Sequence, residues 1–223
     1  MLKSIFTKEW LKTRMAVVLI FVVSMALCAY LLVDAHRLIV INGLMPVWDT
    51  LLSRDTLLLE PLEFLPLIAG ILLAVTQMLP EMQQKRIKLT LHLPIANWKA
   101  IGAMLLYGIV IMLALLLLNL GTCFITLACW LPAEMLRHIF LTVLVWYIAG
   151  IQAYIFAVWI VLEPTWRMRI PELLFAAACL WMFFVSIMPE TYNAFLPILA
   201  LFTILFLPLP MLSITRFKQG KGL

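Results

Sequence analysis

The sequence predicts an all-α integral membrane protein with six transmembrane helices and both termini in the cytoplasm, and three observations predict it. Of its 223 residues, 65% are hydrophobic and 12% charged, and the mean hydropathy is +1.11; soluble domains are only about half apolar. The apolar residues fall in runs that meet the ~20-residue length of a bilayer crossing. The 16 Lys and Arg residues gather in alternate connections between those runs, as the positive-inside rule requires.

The chain reads as a single transmembrane domain over residues 1–223. Residues 1–14, MLKSIFTKEWLKTR, suggest a helix lying in the cytoplasmic interface: Leu2, Ile5, Phe6 and Trp10 share an arc, with Lys3, Lys8 and Arg14 away from it. Glu9 falls on the apolar arc and Leu11 off it, so a plain positive flank to the next span reads equally well. The first span covers 15–33. It ends in Leu32-Val33-Asp34 without a small-residue cleavage pattern, which makes it a retained helix rather than a signal peptide. Residues 34–61 carry Asp34, Asp49, Asp55 and Glu60 against Arg37 and Arg54, which assigns them to the outside. Leu38-Ile39-Val40-Ile41 and Leu57-Leu58-Leu59 are too short to span and read as short outer segments.

The second span, 62–79, ends at Pro80. The third, 100–130, would reach ~45 Å, well past a ~30 Å hydrocarbon core, so tilt or protrusion must absorb the excess. The fourth, fifth and sixth cover 139–162, 173–188 and 194–214, with Pro197, Pro208 and Pro210 expected to kink or unwind the last. On this layout thirteen basic residues lie inside and only Arg37, Arg54 and Arg137 outside. Trp98, Trp130 and Trp166 stand at span ends, where interfacial anchors belong.

The residues exclude several chemistries. The basic residues sit in short segments dictated by topology, which argues against nucleic acid as a partner. Cys28, Cys123, Cys129 and Cys179 lie in apolar spans without a CxxC pair and read as small core residues, and His36, His92 and His138 occupy three separate loops, which disfavours a metal site. There is no GxSxG, HExxH or P-loop. The chain is therefore expected to be no enzyme and to bind no cofactor, with any ATP and Mg held by a partner. No span carries a charge near its middle, where ion-coupled carriers usually need one. Polar residues at depth, including Asn119 and Gln152, read either as helix-to-helix glue or as a stripe on a translocation path.

The longest basic connection is the segment 80–99, a cytoplasmic island between the second and third spans. Gln83 to Leu91 can form a short helix in which Ile87 and Leu91 share a face, while Lys85, Arg86 and Lys88 present charge to an acidic cleft or anionic lipid. A plain positive loop that fixes topology would look similar. Glu81, then Lys85-Arg86-Ile87-Lys88-Leu89, then Leu91-His92-Leu93-Pro94-Ile95 and Lys99 resembles the segment of type-2 ABC exporter permeases that docks on the ATPase. Lys8-Glu9-Trp10-Leu11-Lys12 is similar to the connecting helix of that family. The resemblance implies a multi-pass permease of the cell inner membrane, paired with a second copy or homologue and driven by a cytoplasmic ABC ATPase. It also implies coupling through Glu81, Lys85, Arg86, Ile87, Lys88 and Leu91. Pro189 to Asn193 is too short for the outer re-entrant helices common in that family. The competing class is a non-transporting polytopic protein, an assembly or immunity factor.

Overall fold

The computed structural model describes residues 2–43, 46, 59–83, 97–186 and 191–218. Within them the chain is helical, with no strand: α1 (Leu2–Asn42), α2 (Leu65–Gln83), α3 (Asn97–Leu127), α4 (Ala133–Leu162), α5 (Trp166–Trp181), α6 (Leu196–Phe206) and α7 (Leu209–Lys218). Five stretches are long and apolar enough to cross a membrane: Lys3–Ile41, Leu65–Gln83, Trp98–Leu127, Ala133–Leu162 and Asn193–Phe217. They are compatible with a multi-pass membrane protein.

Two boundaries differ from the sequence expectation for reasons visible in the packing. No break separates the first fourteen residues from the first span; α1 is one helix of 41 residues, ~60 Å long at 1.5 Å per residue. The flaw in its amphipathic arc is the explanation. Glu9 and Thr13 are fully buried and continue into Val17 and Ile20, whereas Trp10 and Leu11 are exposed, so the buried stripe along α1 begins with polar residues. At its other end α1 runs through Leu38-Ile39-Val40-Ile41 and stops at Gly43, whose positive φ of 82° and N–H to the Ile39 carbonyl close the last turn. The fifth predicted span is replaced by α5, 16 residues long and so ~24 Å, short of the hydrocarbon thickness.

Proline placement follows the expectation in part. Pro197 sits in the first turn of α6, where its missing N–H costs nothing, and the chain turns at Leu207 and Pro208 before α7. Pro80 lies inside α2, which continues to Gln83.

The most buried span is α4, with α2, α3, α5, α6 and α7 all packed on it; α1 closes the other side of α2 and α3. The crossing of α2 and α4 is a backbone contact: a Cβ on Gly150 would lie 2.6 Å from the Pro66 carbonyl oxygen, and one on Gly70 would collide with the Gly150 carbonyl. Small residues that let backbones meet are how helices associate without a hydrophobic driving force between them. Phe183 and Leu199 pack on Val145 and Ala149, midway along α4, so α5 and the α6–α7 pair form a hairpin beside its second half. The long helices α1, α3 and α4 continue past that level and meet in a separate cluster of Ala35, Leu127, Leu131, Met135 and Leu136.

Candidate functional site

The start of α1, the ends of α2, α4 and α7 and the start of α5 converge at one end of the bundle. All four buried carboxylates among the described residues, Glu9, Glu81, Glu163 and Glu172, are there. They form two clusters.

The first joins α1 to α2. Glu81, in the last turn of α2, is 1% exposed. Its Oε1 lies 2.9 Å from Lys8 Nζ and 3.1 Å from Lys12 Nζ, and Lys12 also reaches Glu9 Oε2 at 2.8 Å. Lys12 therefore bridges two carboxylates, one on its own helix and one on α2. Breaking a buried pair strands a charge at about 3–5 kcal/mol, whereas the half-exposed Lys8 contributes far less. The sequence reading offered Glu81 to an ATPase as an outward contact. The structure turns it toward α1 instead, because two lysines one helical turn apart stand opposite it. Lys85, Arg86, Ile87, Lys88 and Leu91 lie outside the described residues.

Neutral polar contacts carry on inward from this cluster. Thr13 and Tyr107 share a hydroxyl hydrogen bond of 2.7 Å, Tyr154 donates to Gln77 Oε1 at 2.7 Å, and Gln77 Nε2 donates to the Met104 carbonyl at 2.8 Å. Gln77 thereby ties α2, α3 and α4 together. Asn119 donates to Tyr147 at 2.7 Å. Gln152 is fully buried, with neither amide atom hydrogen-bonded. Tyr147 and Gln152 are five residues apart, about 140° around a helix that turns ~100° per residue. Asn119, on α3, therefore meets a face of α4 different from the one that carries Gln152.

The second cluster joins α4, α5 and α7. Glu163 Oε1 accepts from Thr165 at 2.8 Å, and its Oε2 accepts from Ser213 at 2.8 Å and Arg216 at 3.2 Å. Arg216 also donates to Glu172 Oε1 at 3.2 Å. Burial and the facing Glu163 carboxylate, partly offset by Arg216, push Glu172 up to about 7. Arg169 donates from Nε to the Glu163 carbonyl at 2.9 Å and lies over the Trp166 ring, satisfying a carbonyl left open at the end of α4. Beside this cluster a groove of about 720 Å³, lined mainly by Leu79, Ile160, Val161, Leu173 and Leu174, runs between α2 and α5. No trio of His, Cys, Asp or Glu among the described residues is arranged to hold a metal ion.

Sequence reasoning missed Lys8 and Lys12 as partners of Glu81, and it missed the Glu163, Glu172 and Arg216 group entirely. A signal was present in both cases: acidic residues embedded in otherwise basic segments need a local reason. Comparison with family models, curated proteins and solved structures gives no match.

Proposed function

We propose that this chain is the membrane-spanning permease subunit of an ABC exporter, working in the inner membrane with a second permease copy or homologue and a separate cytoplasmic ATPase that holds ATP and Mg. The observation that carries the reading is the setting of the island. The segment from Gln84 to Ala96 connects α2 directly to α3, and Glu81, three residues before it, is held by Lys8 and Lys12 of α1. A force applied to that segment reaches three helices at once. The sequence resemblance supplies the partner class, and the apolar lengths of the helices supply the membrane.

Six crossings with both termini cytoplasmic remain part of the proposal. Arg216 contacts Glu163 and Glu172, so the hairpin of α5 and α6–α7 returns to the end from which it departs, which supports an even number of crossings there. If the apolar stretch Asn193–Phe217 crosses, α5 and its following turn must complete the opposite passage. The basic flanks at that end favour the cytoplasm.

Purification from native membranes in mild detergent tests the function. The parent chain is expected to bring an ATPase with it, and both Ile87→Asp and the double change Lys85→Glu, Arg86→Glu are expected to lose it while still inserting. A parent chain that carries no ATPase overturns the proposal and favours the non-transporting class. Variants that keep full ATPase binding and stimulation reduce the island to a topology signal.

A further inference from the structure

We propose that Glu172 and Glu163, clasped by Arg216, form a proton-binding site that fastens the α5–α7 hairpin to the end of α4, closed while one proton is shared between the carboxyl groups and loosened when it leaves.

The argument starts from a shortage of donors. Glu163 is 0% exposed and receives three, from Thr165, Ser213 and Arg216. Glu172 is 4% exposed and shares Arg216 through Oε1 alone, while its Oε2 is buried with no donor among the described residues. The two carboxyl groups accept from the same terminal nitrogen of Arg216, Glu163 Oε2 and Glu172 Oε1 each at 3.2 Å. Two carboxylates so placed cannot both be charged beside one guanidinium without strong repulsion, and a proton on one makes it a donor to the other. That proton is the missing donor. It enters from and returns to water at the bundle end, where the Arg216 side chain is still 34% exposed.

The charged groups facing the site come from every element around it. Glu163 ends α4, Arg216 is on α7, and on α5 itself Arg169 is engaged on the Glu163 carbonyl while Arg167 is exposed. The hydroxyl of Ser213 also holds α7 to Glu163. All the hydrogen bonds described between α7 and the α4–α5 corner therefore pass through these two carboxyl groups or the neighbouring Trp159 carbonyl.

The sign of the pH dependence follows. In the closed form Glu172 titrates near 7, and opening returns it to the ordinary carboxylate range near 4.5. The closed form thus binds more protons between those values, and opening becomes easier as pH rises through them, levelling off above 7. The linkage gives roughly a twentyfold rise in the opening equilibrium from about pH 5.5 to about pH 7.5.

Hydrogen exchange of the whole chain in detergent micelles, corrected for the intrinsic pH dependence of amide exchange, reads this directly. The expected result is a rise of that order in opening of residues 166–181 and 209–218, with residues 97–127 unchanged. Glu172→Gln, which keeps the shape and removes the titration, should flatten the rise, and Glu163→Gln should move it to lower pH and shrink it. The proposal is overturned by a parent chain that shows no rise, by a rise that survives in Glu172→Gln, or by a rise that Glu163→Gln leaves in place. A parallel rise across 97–127 also overturns it, since that would be global unfolding.

Discussion

The α2–α4 crossing makes a prediction whose sign can be worked from geometry. Adding one methyl at Gly150 places a carbon 2.6 Å from the Pro66 carbonyl oxygen and 2.7 Å from its carbonyl carbon, so the backbones must part by ~0.7 Å to restore ordinary van der Waals distance. Neither partner is a flexible side-chain end that could swing away. Overpacking of this kind costs about 1–3 kcal/mol, and backbone against backbone belongs at the upper part of that range. It exceeds the ~1 kcal/mol that Ala ordinarily gains over Gly in a helix. Gly102 and Gly121 sit in α3, where an added methyl would have nothing within 4 Å, so there the helix gain acts unopposed. Gly150→Ala and Gly70→Ala should therefore destabilise, and Gly102→Ala and Gly121→Ala should be neutral or stabilising, measured by denaturant or thermal unfolding in a fixed detergent. The double change Gly70→Ala, Gly150→Ala should cost less than the sum, because the first methyl already parts the helices. If Gly150→Ala matched the parent while Gly102→Ala were harmful, the close α2–α4 crossing would be wrong.

Other predictions follow from single contacts. Tyr154→Phe removes the hydroxyl that donates to Gln77 Oε1 and should cost about 1–3 kcal/mol by the same unfolding assay, because a buried amide oxygen loses its donor. Lys12→Met leaves Glu9 without its lysine and Glu81 with Lys8 alone, and it should be more damaging than Lys8→Met, which leaves both carboxylates on the less exposed Lys12; equal effects would show that Lys12 does not bridge the two. For topology, Gln219→Cys and Ser53→Cys should label from opposite sides with an impermeant thiol reagent, and labelling of Gln219→Cys from outside would sink the six-crossing layout.

How much of this was legible in the sequence depends on what kind of information each feature carries. Apolar run length located α2 and α3 to within a few residues at each end and α4 at its C-terminal end, because hydrocarbon length is a one-dimensional constraint. It misjudged α1 at both ends, since Lys3, Lys8 and Lys12 read as loop or interface when counted by charge, yet a helix can carry them on a stripe. It also extended α4 too little: Arg137 and His138 looked like loop residues but lie within the helix, whose first turn holds Glu134 against the N-terminal dipole. The turn at Leu207 and Pro208 was readable from proline chemistry alone. Pair partners were not readable at all. Glu81 finds Lys12 sixty-nine residues away and Glu163 finds Arg216 fifty-three away, separations at which composition says nothing about contact.

The placement of the buried charges has its own physical logic. A carboxylate taken into hydrocarbon carries a desolvation cost that even a good partner offsets only in part, and the cost falls steeply where water is near. Glu9, Glu81, Glu163 and Glu172 all lie at the one end where helix termini, lysines and Arg216 are also found. Farther along α1, α3 and α4 the buried polar groups are neutral, as Asn119 with Tyr147 and Ser24 with the Phe21 carbonyl. The two ends are thus held by different forces: ion pairs that respond to charge, salt and protons at one, and close packing that responds to volume at the other. A perturbation applied as charge is therefore expected to act on the α1–α2 and α4–α5–α7 corners and leave the Ala35, Leu127 and Leu136 cluster unmoved. Salt should discriminate in the same way, but weakly, because pairs this buried are screened far less than exposed ones.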